Sequence, residues 1–554
     1  MKILAAIEAD FEWGALGTRS RLADELGGET VLRRTLRRVL AARRVAGVHL
    51  VVEPRHESLA RQMAVGLDVK VETHDGGAVP WREYVAAARK WSLDAWRGGL
   101  GGMTAFDECC NPWVLASLAR REGADGVAAV PAGAVLLDPV LLDVMIEHFE
   151  KVANDVRLVF TQTTPGLSAA IYQTALLSDL AENRQPLGRV MAYRPSDPHR
   201  DMTVQPCFYP VASSVAHAVG RCVADTDTAM ARLGAMIREA SAGGAGPVSE
   251  TAGDVLPCEQ VSERLVGSLR DIDFLPDEVE IELTIEDSLP ESTVRPRGRA
   301  VPARGPIGRE LFTRIIDELA DRDDARVVLG GYGDPLLHPE WREYVAHCRR
   351  AGMLGLAVRT PGVHLDDAAV ATLIEHRVDV LNVLIDATTR ETYQRLHGAD
   401  LFDRVQENIQ RVITAQQAAR QPVPLLVCEM AKTLDTMDEM ERFYDGWIER
   451  GATPVLIGPS SHAGRWPDLA VMRMSPPTRL PCGRLFRRAF VLADGRLAVC
   501  DQDYRGEATV GSLAVDTLGS LWQGERMQAI RGSHLAGRYD AMALCPTCDE
   551  WHRP

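Results

Sequence analysis

The chain has 554 residues, 46% of them hydrophobic and 25% charged, the balance of an ordinary globular protein with room for roughly three or four domains and several buried cores. Its 62 basic residues against 77 acidic ones leave a formal charge of −15, which disfavours a broad nucleic-acid-binding surface. No run approaches the roughly 18 uncharged apolar residues of a membrane span, and the opening MKILAAIEADFEWG reads as neither signal peptide nor anchor; the expectation is a cytoplasmic protein with no membrane or nucleic-acid partner.

In chain order, the first region, 1–238, opens with the strand KILAAIEA, a Gly-containing loop and the helix TVLRRTLRRVLAARR, followed by the strand VHLVVE. Further on come the buried-strand run GVAAVPA, the turn LLDP and the helix VLLDVMIEHFEK. Strands alternating with helices imply a mainly parallel, doubly wound sheet of the α/β class. Residues 239–277 include ASAGGAGPVSETAGDVL, which lacks periodicity and reads as a linker.

A second alternating region, 278–470, runs from VEIELTI through ARVVLGG, LGLAVRT, VDVLNVLID and PLLVCEM to TPVLIG, with helices between. Six strand-first units suit an open or closed α/β barrel. Residues 471–554 change character, with a hairpin, short strands, one helix and four cysteines.

The chain has 11 cysteines, and a reducing compartment argues against a disulfide framework. Cys109, Cys110, Cys207, Cys222, Cys258, Cys348 and Cys428 are scattered, as small buried hydrophobes are. Cys482, Cys500, Cys545 and Cys548 are clustered. Asp494-Gly495 between alternating apolar residues predicts a two-residue hairpin turn that returns Cys500 towards the segment of Cys482, and Cys545-Pro-Thr-Cys548 is a knuckle whose thiolates can grip one metal centre. Four thiolates suit structural zinc or an iron–sulfur cluster, and spacing alone leaves both open, together with unrelated buried cysteines.

The flanking text resembles a known family. A Cys before the hairpin, the Asp-Gly turn, Cys500 followed by Asp501 and Asp503-Tyr504, the strand VGSL, the helix in LWQGERMQAIR and the closing C-x-x-C resemble the SPASM or twitch domain that follows the barrel of many radical SAM enzymes. The resemblance implies that the four cysteines hold one auxiliary [4Fe–4S] cluster.

The six units before it resemble the radical SAM barrel. Gly330, Gly331 and Asp334 in VVLGGYGDPLLHP match the strand-end motif that contacts the methionyl amine of S-adenosylmethionine; read without the resemblance, the same residues are a strand-end turn. Asp386 with the following ETYQRLHG adds to the likeness. The family's signature is a C-x3-C-x2-C triplet after the first barrel strand. Here those positions align with Asp287, Glu291 and Val294, and no cysteine lies between Cys258 and Cys348. Two carboxylates and a valine do not hold such a cluster, so the expectation is a barrel that does not cleave S-adenosylmethionine by the usual route.

Residues 1 to about 54 resemble the sugar-nucleotidyltransferases of GT-A fold, with Gly17-Thr18-Arg19 in the place of the phosphate-wrapping loop. The resemblance implies nucleotide contacts from Gly17 and Arg19. No Lys follows the loop, Arg21 is the nearest cation, and Gly133 falls where the family has its metal-binding Asp, although Asp138 remains nearby. The expected function is therefore cluster binding with a role in recognition or electron transfer, towards an unidentified redox partner, peptide or small molecule. The alternatives are an active radical SAM-type or nucleotidyltransferase enzyme and a zinc-stabilised scaffold.

Overall fold

In the computed structural model the opening apolar run forms β1 (Ile3–Ala9), which pairs in parallel with β2 (Val48–Val52) on one side and β4 (Gly126–Pro131) on the other. The structure describes all residues except 77–78, 80, 94–96, 99–102, 105–110, 185–204, 219, 243–255, 269–274, 474, 541 and 554. With β3 (Lys70–Thr73), β5 (Leu158–Thr161), β6 (Ala170–Gln173) and β7 (Phe208–Tyr209) the sheet order is β7-β5-β6-β4-β1-β2-β3. Only β6 runs against its neighbours. Ile3, Ala5, Ile7 and Ala9 of β1 enter one hydrophobic cluster, while Leu4 and Ala6 enter another. That split follows from the two-residue period of a strand covered on both faces, and it makes this an α/β sheet with layers on either side.

The chain divides into two compact units, Met1–Asp271 and Ile272–Pro554. Within the stretch read as a linker, residues 243–255 lie outside the described residues, but Cys258–Ser268 form a helix belonging to the first unit. Cys258, Val261 and Leu265, spaced i, i+3 and i+7, are buried in its core.

The second unit is built on a nine-stranded sheet. Its first six strands, β8 (Glu278–Glu282), β9 (Arg326–Gly330), β10 (Gly355–Thr360), β11 (Val380–Leu384), β12 (Leu425–Ala431) and β13 (Thr453–Ile457), lie side by side in chain order and all parallel. The six-unit pattern of the sequence is thus one continuous sheet. β14 (Arg488–Val491) then pairs in parallel with β8, and β15 (Arg496–Ala498) and β16 (Thr509–Ser512) follow antiparallel. The cysteine-bearing segment therefore extends the barrel sheet at its first strand. Its hairpin differs from the two-residue turn expected: the Leu492 amide donates to the Arg496 carbonyl and Gly495 to Leu492, leaving a three-residue loop with Gly495 at φ +81°. Asp-Gly here closes a type I turn followed by a left-handed residue, a loop that demands Gly at its last position.

Candidate functional site

Cys482, Cys500, Cys545 and Cys548 all line one cavity, together with Arg479, Arg484, Gln502 and His534. The elements deliver them from three directions: Cys482 precedes the short helix Arg484–Arg487, Cys500 follows β15, and the knuckle folds as the 3-10 turn Cys545–Thr547. The Cys548 sulfur accepts the Glu550 backbone N–H at 3.4 Å, and the backbone amides of Arg484 and Gln502 lower the pKa of Cys482 and Cys500. Such bonds favour thiolate. Burial works the other way, lifting the Cys500 thiol far above its ordinary value, Cys545 to about 12 and Cys548 to about 11, with Cys482 nearby adding to each. Four thiols that resist ionisation singly, three of them with backbone N–H groups that favour the thiolate, fit a site completed by a cationic centre.

The surroundings fit an anionic, thiolate-ligated cluster. Arg484 grips Asp501 with both contacts at 2.7 Å and approaches Glu550 at 3.7 Å. Arg531 is fully buried, donates to the carbonyls of Leu485 and Trp522 at 2.7 Å each, and lies over the Trp522 ring.

In the barrel, two of the three positions aligned with the missing cysteines are otherwise engaged. Asp287, its side chain fully buried, accepts from Arg297 at 2.6 Å, and Arg297 also donates to the Gly333 carbonyl at 3.0 Å. Val294 packs with Leu396 and Ala431, and Glu291 is exposed. Next to them Arg295 bridges Glu429 at 2.7 Å and Asp386 at 2.6 Å. Burial opposes ionisation of Glu429, but Arg359 and Arg295 more than reverse it and bring its pKa to about 2.

Gly330, Gly331 and Asp334 sit at the end of β9 as the sequence suggested, but their closest approaches are internal. A Cβ on Gly331, where φ is +87°, would stand 2.6 Å from the Glu282 Cβ, and one on Gly333 would stand 2.2 Å from the Thr284 carbonyl. Asp334 is fully buried; its Oδ1 accepts from Thr360 at 2.8 Å and from the Leu336 amide, while Oδ2 has no partner. Burial pushes its pKa up to about 6.

In the first unit a cavity of about 180 Å³ opens at the C-terminal ends of β1 and β4, lined by Glu8, Asp10, Glu53 and Asp225 against Arg21 and Arg82. Ends of adjacent parallel strands are where such sheets bind ligands. Gly14, Ala15, Ser20 and Arg21 of the loop line it, but Gly17 and Arg19 do not. Gly17 closes a turn onto Gly14 at φ +71°, and the Arg19 fork is taken by Asp24 at 2.8 and 2.7 Å. Gly133 lines the cavity as aligned, whereas Asp138 caps a helix, accepting from the Val140, Leu141 and Cys258 amides. Burial pushes Glu8 up to about 7. Cys207, Cys222, Cys258, Cys348 and Cys428 are buried, and Cys109 and Cys110 lie outside the described residues.

The sequence did not single out His534, Arg295 or Arg297. All three carry polar side chains, and the tertiary fold buries His534 and Arg297 and leaves Arg295 part-buried.

Residues 300–418 match the model of the Radical SAM superfamily, and residues 482–549 match that of an iron-sulfur cluster-binding domain, SPASM. The first match begins after the aligned positions 287–294. An uncharacterized protein of Treponema pallidum (strain Nichols) is 25% identical over 253 residues, which are 44% of this chain and 69% of that protein. The GTP 3′,8-cyclase of Rhodococcus opacus (strain B4) is 29% identical over 143 residues, 24% of this chain and 38% of the cyclase. Among solved structures, SuiB of Streptococcus suis bound to the precursor peptide SuiA aligns with 57% of this chain and 80% of its own at 11% identity and a TM-score of 0.42. Among the described residues no helix is long and apolar enough to cross a membrane. The second unit thus carries a radical SAM-type segment followed by a SPASM iron–sulfur segment.

Proposed function

We propose that Cys482, Cys500, Cys545 and Cys548 hold one [4Fe–4S] cluster and that the barrel generates no adenosyl radical, leaving the protein a role in binding or electron transfer towards a redox partner, peptide or small molecule. The observation that carries this reading is a contrast: four cysteines share one cavity, while buried Arg–carboxylate pairs engage the barrel loop where a second cluster's ligands would align. The cluster, when bound, supplies one-electron chemistry. The chain's own residues bind it as thiolates, steady those thiolates with backbone N–H groups, and place Arg479 and Arg484 beside the charge.

Anaerobic purification followed by metal analysis and an absorption spectrum tests the first half. Iron with a broad band near about 400 nm that dithionite bleaches is expected, and zinc with no visible band would overturn it. Incubation with dithionite and S-adenosylmethionine tests the second half, with no 5′-deoxyadenosine expected above a heat-killed control. A second reading, S-adenosylmethionine binding without cleavage, draws on the unpartnered Oδ2 of Asp334 at the strand-end motif. Equilibrium dialysis with the labelled compound checks it: binding lost in Asp334→Asn supports it, and no binding by the wild-type protein rejects it.

A further inference from the structure

His534 lies on the helix Glu525–Leu535, is 1% exposed, and lines the same cavity as the four cysteines. Its two ring nitrogens are in different situations. Nδ1 accepts the backbone N–H of Cys482 at 3.4 Å, so Nδ1 carries no proton and the neutral ring must carry it on Nε2. That Nε2–H is buried and has no hydrogen-bond partner. A buried N–H without an acceptor is costly, and native structures rarely leave one so. Among the described lining residues, the groups it shares the cavity with are those of the cluster site.

Arg531, one turn earlier on the same helix, adds a second signal. It is also 1% exposed and meets two carbonyls and the Trp522 ring, so its charge is set among neutral groups. Leu485, whose carbonyl it binds, lines the cavity. A [4Fe–4S] core with four thiolates is a buried anion, and a buried cation held behind the cavity wall on the same helix as the N–H donor is complementary to it.

We propose that His534 is a positioning residue for the cluster, holding the Cys482 loop through Nδ1 and donating Nε2–H to a cluster sulfur, and that this bond raises the cluster's reduction potential. The proposal rests on the cluster reading above. Hydrogen bonds to sulfur stabilise the reduced, more negative state, which fixes the sign of the effect.

Two variants separate the roles of the two nitrogens. His534→Asn keeps an acceptor near the Nδ1 position and removes the donor; His534→Gln places an amide N–H near the Nε2 position. In spectropotentiometric titrations of proteins with matched iron content, the expected result is a midpoint moved to more negative potential in H534N and returned towards wild type in H534Q. Equal potentials in all three overturn the proposal. Should H534N lose its iron, the wild-type protein still decides. Labelled with 15N-histidine and reduced with dithionite, it should show a weak nitrogen coupling to the cluster by pulsed EPR, and its absence overturns the proposal. Failure of the cluster reading looks different, because then the wild-type protein contains no iron.

Discussion

Arg297→Met is the sharpest test of the view that ion pairs have replaced a cluster in the barrel. The Arg297 and Asp287 side chains are 3% and 0% exposed and meet at 2.6 Å, so removing the cation leaves a carboxylate with no access to water and strands the Gly333 carbonyl. Breaking one partner of a buried pair costs about 3–5 kcal/mol, whereas replacing both by apolar groups is close to neutral. Asp287 keeps one other bond, from the Leu289 amide at 2.9 Å, which favours the lower half of that range. For a unit the size of Ile272–Pro554, each kcal/mol moves the unfolding midpoint by about 2–4 °C, so R297M should lower it by roughly 6–15 °C. The double variant Arg297→Met with Asp287→Leu should recover most of the loss. Differential scanning calorimetry of the full chain reads both. A midpoint for R297M within about 1 °C of wild type, or a double variant no better than the single, would refute the reasoning.

Three further outcomes follow from the geometry. Cys545→Ser should lower cluster content and the thermal midpoint together, read by iron analysis and calorimetry, because on the proposed ligand set the free energy of cluster binding adds to that of folding; a variant that keeps full iron content contradicts the ligand assignment. Glu8 has a folded pKa of about 7, raised from 4.5 by burial, so the folded state binds its proton more tightly and the first unit loses stability as pH rises from about 4.5 through 7. Glu8→Gln should remove that decline and gain about 1–3 kcal/mol above pH 7, read by denaturant titration at several pH values. Gly331→Ala should destabilise the second unit by more than about 1 kcal/mol, since it forces a left-handed residue against Glu282; an unchanged midpoint would mean the loop relaxes freely.

Much of the fold could be read from local patterns, because a two-residue apolar period and short turn signals are properties of neighbours in the chain. The six parallel strands and the placing of Cys482, Cys500 and the knuckle around one cavity belong to this class. The helix Cys258–Ser268 carried a readable i, i+3, i+7 stripe, yet it adjoins a Gly- and Ser-rich run that drew the whole stretch into a linker. Gly495 was rightly marked as a turn residue, but the loop length depends on the register between Leu492 and Arg496, which two letters do not encode. Arg297 stands in VRPRGRA, a segment that reads as exposed loop; its burial comes from Asp287 and Gly333, 10 and 36 residues away. Arg19 shows another case, a loop cation that matches a phosphate site by position and pairs in the structure with Asp24.

The stoichiometry of iron and acid-labile sulfide in anaerobically purified protein tests the central claim most directly. The expected result is about four of each per chain in the wild-type protein and a marked loss of both in Cys545→Ser. About eight of each per chain would mean a second cluster in the barrel and would contradict the claim, as would zinc in place of iron.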